Sequence, residues 1–163
     1  AASAAYWLAA AADEIVITPG GIAGSIGVWS AHEDWSKHLE NEGVKVTLIS
    51  AGKYKVEGNP YEPLSADARA AEQAMVDKYY SLFTRAVAKY RGDSSENVRA
   101  GYGEGRVLVS DDAVKAKLAD RVGTFDEVVA GVQKDIRKQQ RSGAANPGNA
   151  AARIALAEAG IPQ

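Results

Sequence analysis

The sequence predicts an α/β domain, and three observations carry that prediction. Short β-branched runs at Glu14–Thr18, Val44–Ile49 and Gly105–Val109 alternate along the chain with segments of helical periodicity. The longest helical segment, from about Ala66 to Tyr90, repeats apolar residues at spacings of three and four. Ser3 stands immediately before an alanine-rich stretch with near-maximal helix propensity, so a hydroxyl sits at a helix start. Strands alternating with helices in this order imply an α/β domain. With 163 residues and 46% hydrophobic content, the chain has the size of one domain with a real core.

Taken in order, Ser3 opens the chain's first helix, ahead of Ala4, Ala5, Leu8 and the alanines Ala9 to Ala12. At such a position the first backbone N–H groups lack partners, so the hydroxyl is either a nucleophile beside an oxyanion site or an N-cap. Glu14–Thr18 reads as a buried strand closed by Pro19-Gly-Gly21, and Ile22 to Trp29 as a second strand. Gly20, Gly21, Gly24 and Gly27 lack the nucleotide-binding fingerprints, which leaves close backbone packing as their reading. His32 to Glu42 is a polar helix with Trp35 and Leu39 on one face and Gly43 as its C-cap. His32 and His38, the sole histidines, are six apart, so they form no helical metal pair and read as surface residues.

Val44–Ile49 alternates as a strand, and Ala51-Gly-Lys-Tyr-Lys55 follows as a loop. If extended, that loop puts Lys53 and Lys55 on one side. Gly58 to Pro63 is turn chemistry, after which Ser65 caps the long helix. Ala68, Ala71, Met75, Tyr79, Leu82, Phe83, Ala86 and Tyr90 define its apolar face, and its length predicts that the far end packs on a neighbouring subunit. Asp93-Ser-Ser-Glu96 opens a short helix ending near Gly101, Ser110-Asp-Asp opens another, and Thr124-Phe-Asp-Glu127 is a capping box for a helix to about Gln140. Lys134, Arg137, Lys138 and Arg141 share one solvated face of that helix. From Ser142 the composition turns to Ala, Gly and Asn, dividing the chain into a domain over 1–141 and a flexible tail over 142–163.

Several classes of function are excluded or weakened. Nineteen basic against 21 acidic residues give a net charge of −2, which offers no footprint for nucleic acid. The absence of cysteine removes a thiolate nucleophile, disulfides and Cys-based metal sites. No run of about twenty apolar residues is present, so no membrane segment is expected in this chain. The placement of the histidines argues against a Ser-His-Asp triad, and a serine hydrolase here needs another base.

Five pieces of the sequence, in order and in register, resemble the signal peptide peptidase A family of serine peptidases. They are Ala2-Ser3-Ala-Ala-Tyr-Trp7; Ala12-Asp-Glu-Ile-Val-Ile-Thr-Pro19; Gly24-Ser-Ile-Gly-Val28; Ala51-Gly-Lys-Tyr-Lys55; and Gly105-Arg-Val-Leu-Val109 with Asp112-Ala and Ala119 to Asp126. The resemblance covers Ala2 to about Val129 and is strongest to the capsid-assembly proteases of tailed bacteriophages. It implies that Ser3 is the nucleophile and Lys55 the general base. It further implies that Ala4 N–H is one oxyanion donor and that Ser25 holds the lysine nitrogen near the nucleophile. The family usually has two glycines after the nucleophile, where this chain has Ala4 and Ala5. The fold implied is the spiral ββα fold shared with Clp protease and crotonase, with active sites built between subunits of a homo-oligomer.

No cofactor or metal is called for by that chemistry, and the implied substrate is a polypeptide, with capsid or scaffold proteins as further partners. The implied location is the cytoplasm of a bacterial host, or the membrane for a host-type peptidase. A helix whose nucleophile is residue 3 lacks the strand that delivers the chain to it, so a fragment or processed product lacking upstream residues is expected. Three rivals remain beside this reading: a non-catalytic capsid scaffold, a crotonase-type acyl-CoA enzyme, and the host-type membrane quality-control peptidase.

Overall fold

A computed structural model describes residues 1–144, and helices and short strands alternate along it. The first helix, α1, spans Ala4–Ala9. It is shorter than the alanine run, because Ala11 and Ala12 N–H close tight turns onto Leu8 and Ala9 carbonyls before the chain enters β1 (Val16–Ile17). One face of α1 is buried: Tyr6 and Ala10 are inaccessible, and the Trp7 ring lies parallel to Phe83 at 4.8 Å. The Tyr6 hydroxyl donates to the Leu118 carbonyl at 3.0 Å. Burial pushes the Tyr6 phenol well above its ordinary range, which keeps it a donor.

Next come β2 (Ile22–Gly24), α2 (Ser36–Asn41), α3 (Ala66–Arg91), α4 (Ser95–Gly101), β3 (Val107–Val109), α5 (Ser110–Lys115), β4 (Arg121–Val122) and α6 (Phe125–Ala144). Two two-stranded sheets form: β1 pairs in parallel with β4, Val16 opposite Arg121, and β2 pairs antiparallel with β3, Ile22 opposite Val109. The α/β expectation therefore stands as a mixed helical domain with small sheets. Between them lies one core of Tyr6, Ile17, Ile26, Phe83, Val87, Val98, Tyr102 and Leu118.

Five expectations are corrected. The second strand ends at Gly24 instead of running to Trp29, because Gly24 at φ 112 and Ser25 at φ 52 turn the backbone out of the ladder. The helix expected from His32 begins at Ser36: the Asp34 carboxylate accepts the Ser36 N–H, while Trp35 N–H donates to the Pro60 carbonyl. Its other end is as expected, since Gly43 at φ 71 places Val44 N–H on Leu39 O and its own N–H on Glu40 O. Val44–Ile49 forms no ladder with any described strand, and Ile49 is 95% exposed. Alternation predicts a strand only where an edge exists to receive it.

The fourth correction concerns the face of α3. Phe83, Thr84, Val87 and Ala88 are buried with Ala68, whereas Met75, Tyr79, Leu82 and Tyr90 are exposed. Tyr79-Tyr80, Leu82-Phe83 and Ala86-Val87 are adjacent apolar pairs, so two stripes run side by side, and periodicity does not say which meets the core. Two caps are as read from sequence: Ser65 Oγ accepts the Ala68 N–H at 3.1 Å, and Thr124 and Glu127 exchange backbone and side-chain bonds at the start of α6. The box expected over Asp93–Glu96 is shifted by one, since Ser94 Oγ accepts the Asn97 N–H and the Asp93 carboxylate takes the Ser94 N–H. The tail from residue 145 lies outside the described residues.

The end of α3 is tied to the parallel sheet by one ion pair. Arg91 holds Asp120 through two bonds, of 2.7 and 3.1 Å, and its Nε donates to the Lys117 carbonyl. Asp120 also accepts the Ile15 N–H at 2.6 Å. The bond from Arg91, helped by the one from Ile15, holds the Asp120 carboxyl below its ordinary range. A depressed carboxyl contributes stability that is complete above its unfolded pKa, about 4, and is lost as pH falls below it. Asp120→Asn is expected to cost about 2 kcal/mol at pH 7 and to flatten the acid limb of a urea-midpoint-versus-pH curve. The figure lies below that for a fully buried pair, because the Arg91 side chain is 8% exposed but that of Asp120 is 38% exposed. An unchanged acid limb in the variant rejects the assignment.

Candidate active site

Ser3 occupies the N-cap of α1 with φ 54 and ψ −132, a left-handed conformation that a side chain rarely adopts. Such a residue stores on the order of 1–3 kcal/mol of strain. Its hydroxyl makes no capping bond, and the side chain is exposed. The cap alternative raised by the sequence is therefore met in position but not in bonding. The conformation is held by the backbone: Ser3 N–H donates to Gly24 O at 2.9 Å, Ala2 bridges Gly24 in parallel, and Ser3 O accepts from Tyr6 and Trp7 N–H. Behind these bonds sit the buried Tyr6 and the Trp7–Phe83 stack, which fix the helix that follows.

The Ala4 and Ala5 N–H groups have no acceptor among the described residues. They are the open donors of a helix start, beside the Ser3 hydroxyl. Ser25 lies across the shared Gly24 peptide. It is half-buried at φ 52, with its N–H on the Arg106 carbonyl at 2.8 Å and its carbonyl taking the Gly27 N–H. The structure thus brings Ser3, Ala4 and Ser25 onto one edge, where α1 meets the end of β2.

Lys55 is elsewhere in the hydrogen-bond network. Residues 51–58 form successive turns instead of an extended segment, with Gly52 at φ 100 and Lys55 N–H on the Gly52 carbonyl. The Lys55 side chain is exposed and makes no hydrogen bond to Ser3 or Ser25. Lys53 instead lies over the Tyr54 ring at 4.8 Å. Of the histidines, His38 is exposed, while His32 is half-buried with Nε2 at 2.9 Å from the Asn59 carbonyl. Among the described residues no group of three His, Asp or Glu side chains could hold a metal, and no helix is long and apolar enough to cross a membrane.

Sequence reasoning missed the left-handed backbone at Ser3 and Ser25. The Gly24-Ser25 dipeptide is its only trace, because a positive φ in serine has no composition signal. It also missed β4, whose two residues are too few to show a period.

With nucleophile candidate, open donors and turn geometry in place, comparison with known proteins supplies the class. Residues 1–139 match the model of Peptidase family S49, and the chain belongs to that family. It is 36% identical over 143 residues to capsid assembly protease C of Escherichia phage lambda, covering 86% of this chain and 32% of that protein. It is 33% identical to the head-tail preconnector protein of Enterobacteria phage P21, covering 88% of this chain and 28% of that protein. It is 26% identical to protease 4 of Haemophilus influenzae, covering 86% of this chain and 22% of that protein. The chain thus spans about a third or less of the length of these relatives.

Proposed function

We propose that the protein is a serine endopeptidase using a Ser3–Lys55 dyad, working in the maturation of a phage or prophage capsid in the cytoplasm of a bacterial host. The support for the first part is the Ser3 conformation: an uncapped, exposed hydroxyl at a strained helix start, next to free N–H donors. The support for the second is the pair of phage relatives, one named for capsid assembly. The fold proposed is the spiral ββα arrangement, with residues 1–141 as the peptidase unit and 142–163 as its tail.

The chemistry is acyl transfer with every proton accounted for. Neutral Lys55 Nζ takes the Ser3 Oγ proton as Oγ bonds the substrate carbonyl carbon. The oxyanion that forms is met by the Ala4 N–H. The Lys55 ammonium then protonates the leaving amine as the C–N bond breaks; in the second half, neutral Lys55 Nζ takes a proton from water as its oxygen bonds the acyl carbon, and the resulting ammonium returns that proton to Ser3 Oγ as the ester C–O bond breaks. A lysine is a base only when neutral, a form that burial favours. An exposed Lys55 that does not reach Ser3 in its own subunit therefore fits a site in which a neighbouring subunit supplies the lysine, and Ser25 positions it there.

The test is complementation. Full-length Ser3→Ala and Lys55→Ala proteins are each expected to be inactive on an unfolded protein substrate. About a quarter of sites in an equimolar random mixture join an intact Ser3 to an intact Lys55 across a head-to-tail interface, so mixing should restore a corresponding share of the rate. No recovery on mixing removes the shared site. Full activity of Lys55→Ala removes the base, full activity of Ser3→Ala removes the nucleophile, and a wild type that hydrolyses nothing leaves a scaffold that uses the fold for assembly alone. Membrane recovery of the full-length protein would move it to the host-type membrane peptidase reading.

A further inference from the structure

A cavity of about 460 Å³ opens between the segment after β2 and the first half of α3. Val28, Leu64 and Val76 are half-buried in its lining, and Trp29 stands at it with 84% of its surface exposed. Two opposite charges line it, Arg69 and Glu72, three apart on α3, where an ion pair would be ordinary. That pair is not made. Glu72 instead accepts the Ser30 hydroxyl at 3.0 Å, and Arg69 has no side-chain partner among the described residues. The cavity therefore presents a guanidinium without a side-chain partner among the described residues, in a lining of mixed polar and apolar groups where the Glu72 carboxylate is turned to Ser30.

Its position relative to Ser3 gives it a role. Gly24 binds Ser3, and Trp29 follows Ser25 by four residues, after the turn that puts the Gly27 N–H on the Ser25 carbonyl. Four residues of chain span at most about 14 Å, so a side chain three or four residues from the reacting carbonyl of a bound extended peptide can reach the cavity. Backbone ladder bonds of the segment 26–32 are absent, since it belongs to no sheet.

We propose that this cavity is a substrate subsite for a carboxylate, held by Arg69 with the acid's methylene stem against Trp29. The planar guanidinium matches a carboxylate through two parallel N–H bonds, and the indole covers the stem from water. This rests on the peptidase reading of Ser3. It adds a preference for acidic polypeptide segments.

The experiment uses the full-length protein and fluorogenic peptides in which each position flanking the scissile bond is in turn Glu or Gln, ending in an amide or a free acid. At the third or fourth position, Glu is expected to raise kcat/KM about tenfold over Gln, through KM. Arg69→Gln should erase that difference, and Arg69→Glu should favour lysine at the same position, an inversion that misfolding does not produce. A preference carried only by free-acid peptides assigns the carboxylate to the chain terminus, one carried by amidated peptides to a side chain. Equal rates for Glu and Gln throughout, or a Glu preference that survives Arg69→Gln, overturn the subsite. Peptide binding to the Ser3→Ala protein by fluorescence anisotropy separates the two readings. A Glu-over-Gln difference there, without cleavage by wild type, keeps the subsite and rejects the peptidase. Cleavage without that difference does the reverse.

Discussion

Ser3→Ala is expected to lower peptide hydrolysis by on the order of 10³-fold or more while leaving the fold intact, because in the proposed mechanism the lost oxygen is the attacking atom, and it bonds nothing among the described residues. The side chain is exposed and its hydroxyl caps no helix, so thermal unfolding should move by only about a degree or two. Ser3→Gly separates conformation from chemistry. At φ 54 and ψ −132 a glycine relieves strain that serine and alanine both carry, so this variant should be equally inactive yet more stable by about 1 kcal/mol. Matched rates and calorimetric scans for the two variants test both statements. An Ser3→Gly protein less stable than wild type would mean that the strain is not borne at this residue.

Gly24→Ala should cost about 3–5 kcal/mol and silence the site without touching a reacting group. A Cβ on Gly24 would meet the Arg106 carbonyl oxygen at 2.8 Å and Leu118 Cδ1 at 3.2 Å, and φ is +112. The first neighbour is backbone of the turn leading to β3, so relief requires parting β2 from β3. The Gly24 carbonyl receives the Ser3 N–H, and this displacement reaches the nucleophile directly. Two neighbours calibrate the effect. Gly20→Ala, at φ +74 with nothing within 4 Å, should show strain alone, about 1 kcal/mol. Gly27→Ala has no positive φ and a nearest contact of 3.6 Å, so it should fall within about 0.5 kcal/mol of wild type. Urea midpoints for the three variants should follow that order, and a tolerated Gly24→Ala would contradict the close approach.

Local chemistry was legible wherever it is settled within a few residues. The Ser65 cap, the Thr124–Glu127 box, the Gly43 terminus and the helix start at Ser3 are each decided by neighbouring backbone groups, and all were read from sequence. What failed depends on partners far along the chain or outside it. Val44–Ile49 has the pattern of a strand and no described edge to join. The two stripes of α3 are equally apolar, and the choice between them is made by Trp7 stacking on Phe83. The place of Lys55 was read as an extended loop, whereas Gly52 and Gly58 at positive φ fold it into turns. The cavity beside Arg69 left no signal, since its walls come from three separated segments.

The bonds from Ser3 and Ala2 to Gly24 close across about twenty residues, whereas the contacts behind them close across about a hundred: Tyr6 to Leu118, Val16 to Arg121, Ile22 to Val109. During synthesis at about 5–20 residues per second, the Ser3 segment emerges from the ribosome several seconds before β3 and β4 exist. Until then the Ser3–Gly24 bond lacks the β2–β3 pairing and the Tyr6–Leu118 bond that back it. If Ser3 is the nucleophile proposed above, its surroundings are therefore complete only with the last third of the described chain, which would spare nascent copies premature cutting of themselves and their neighbours.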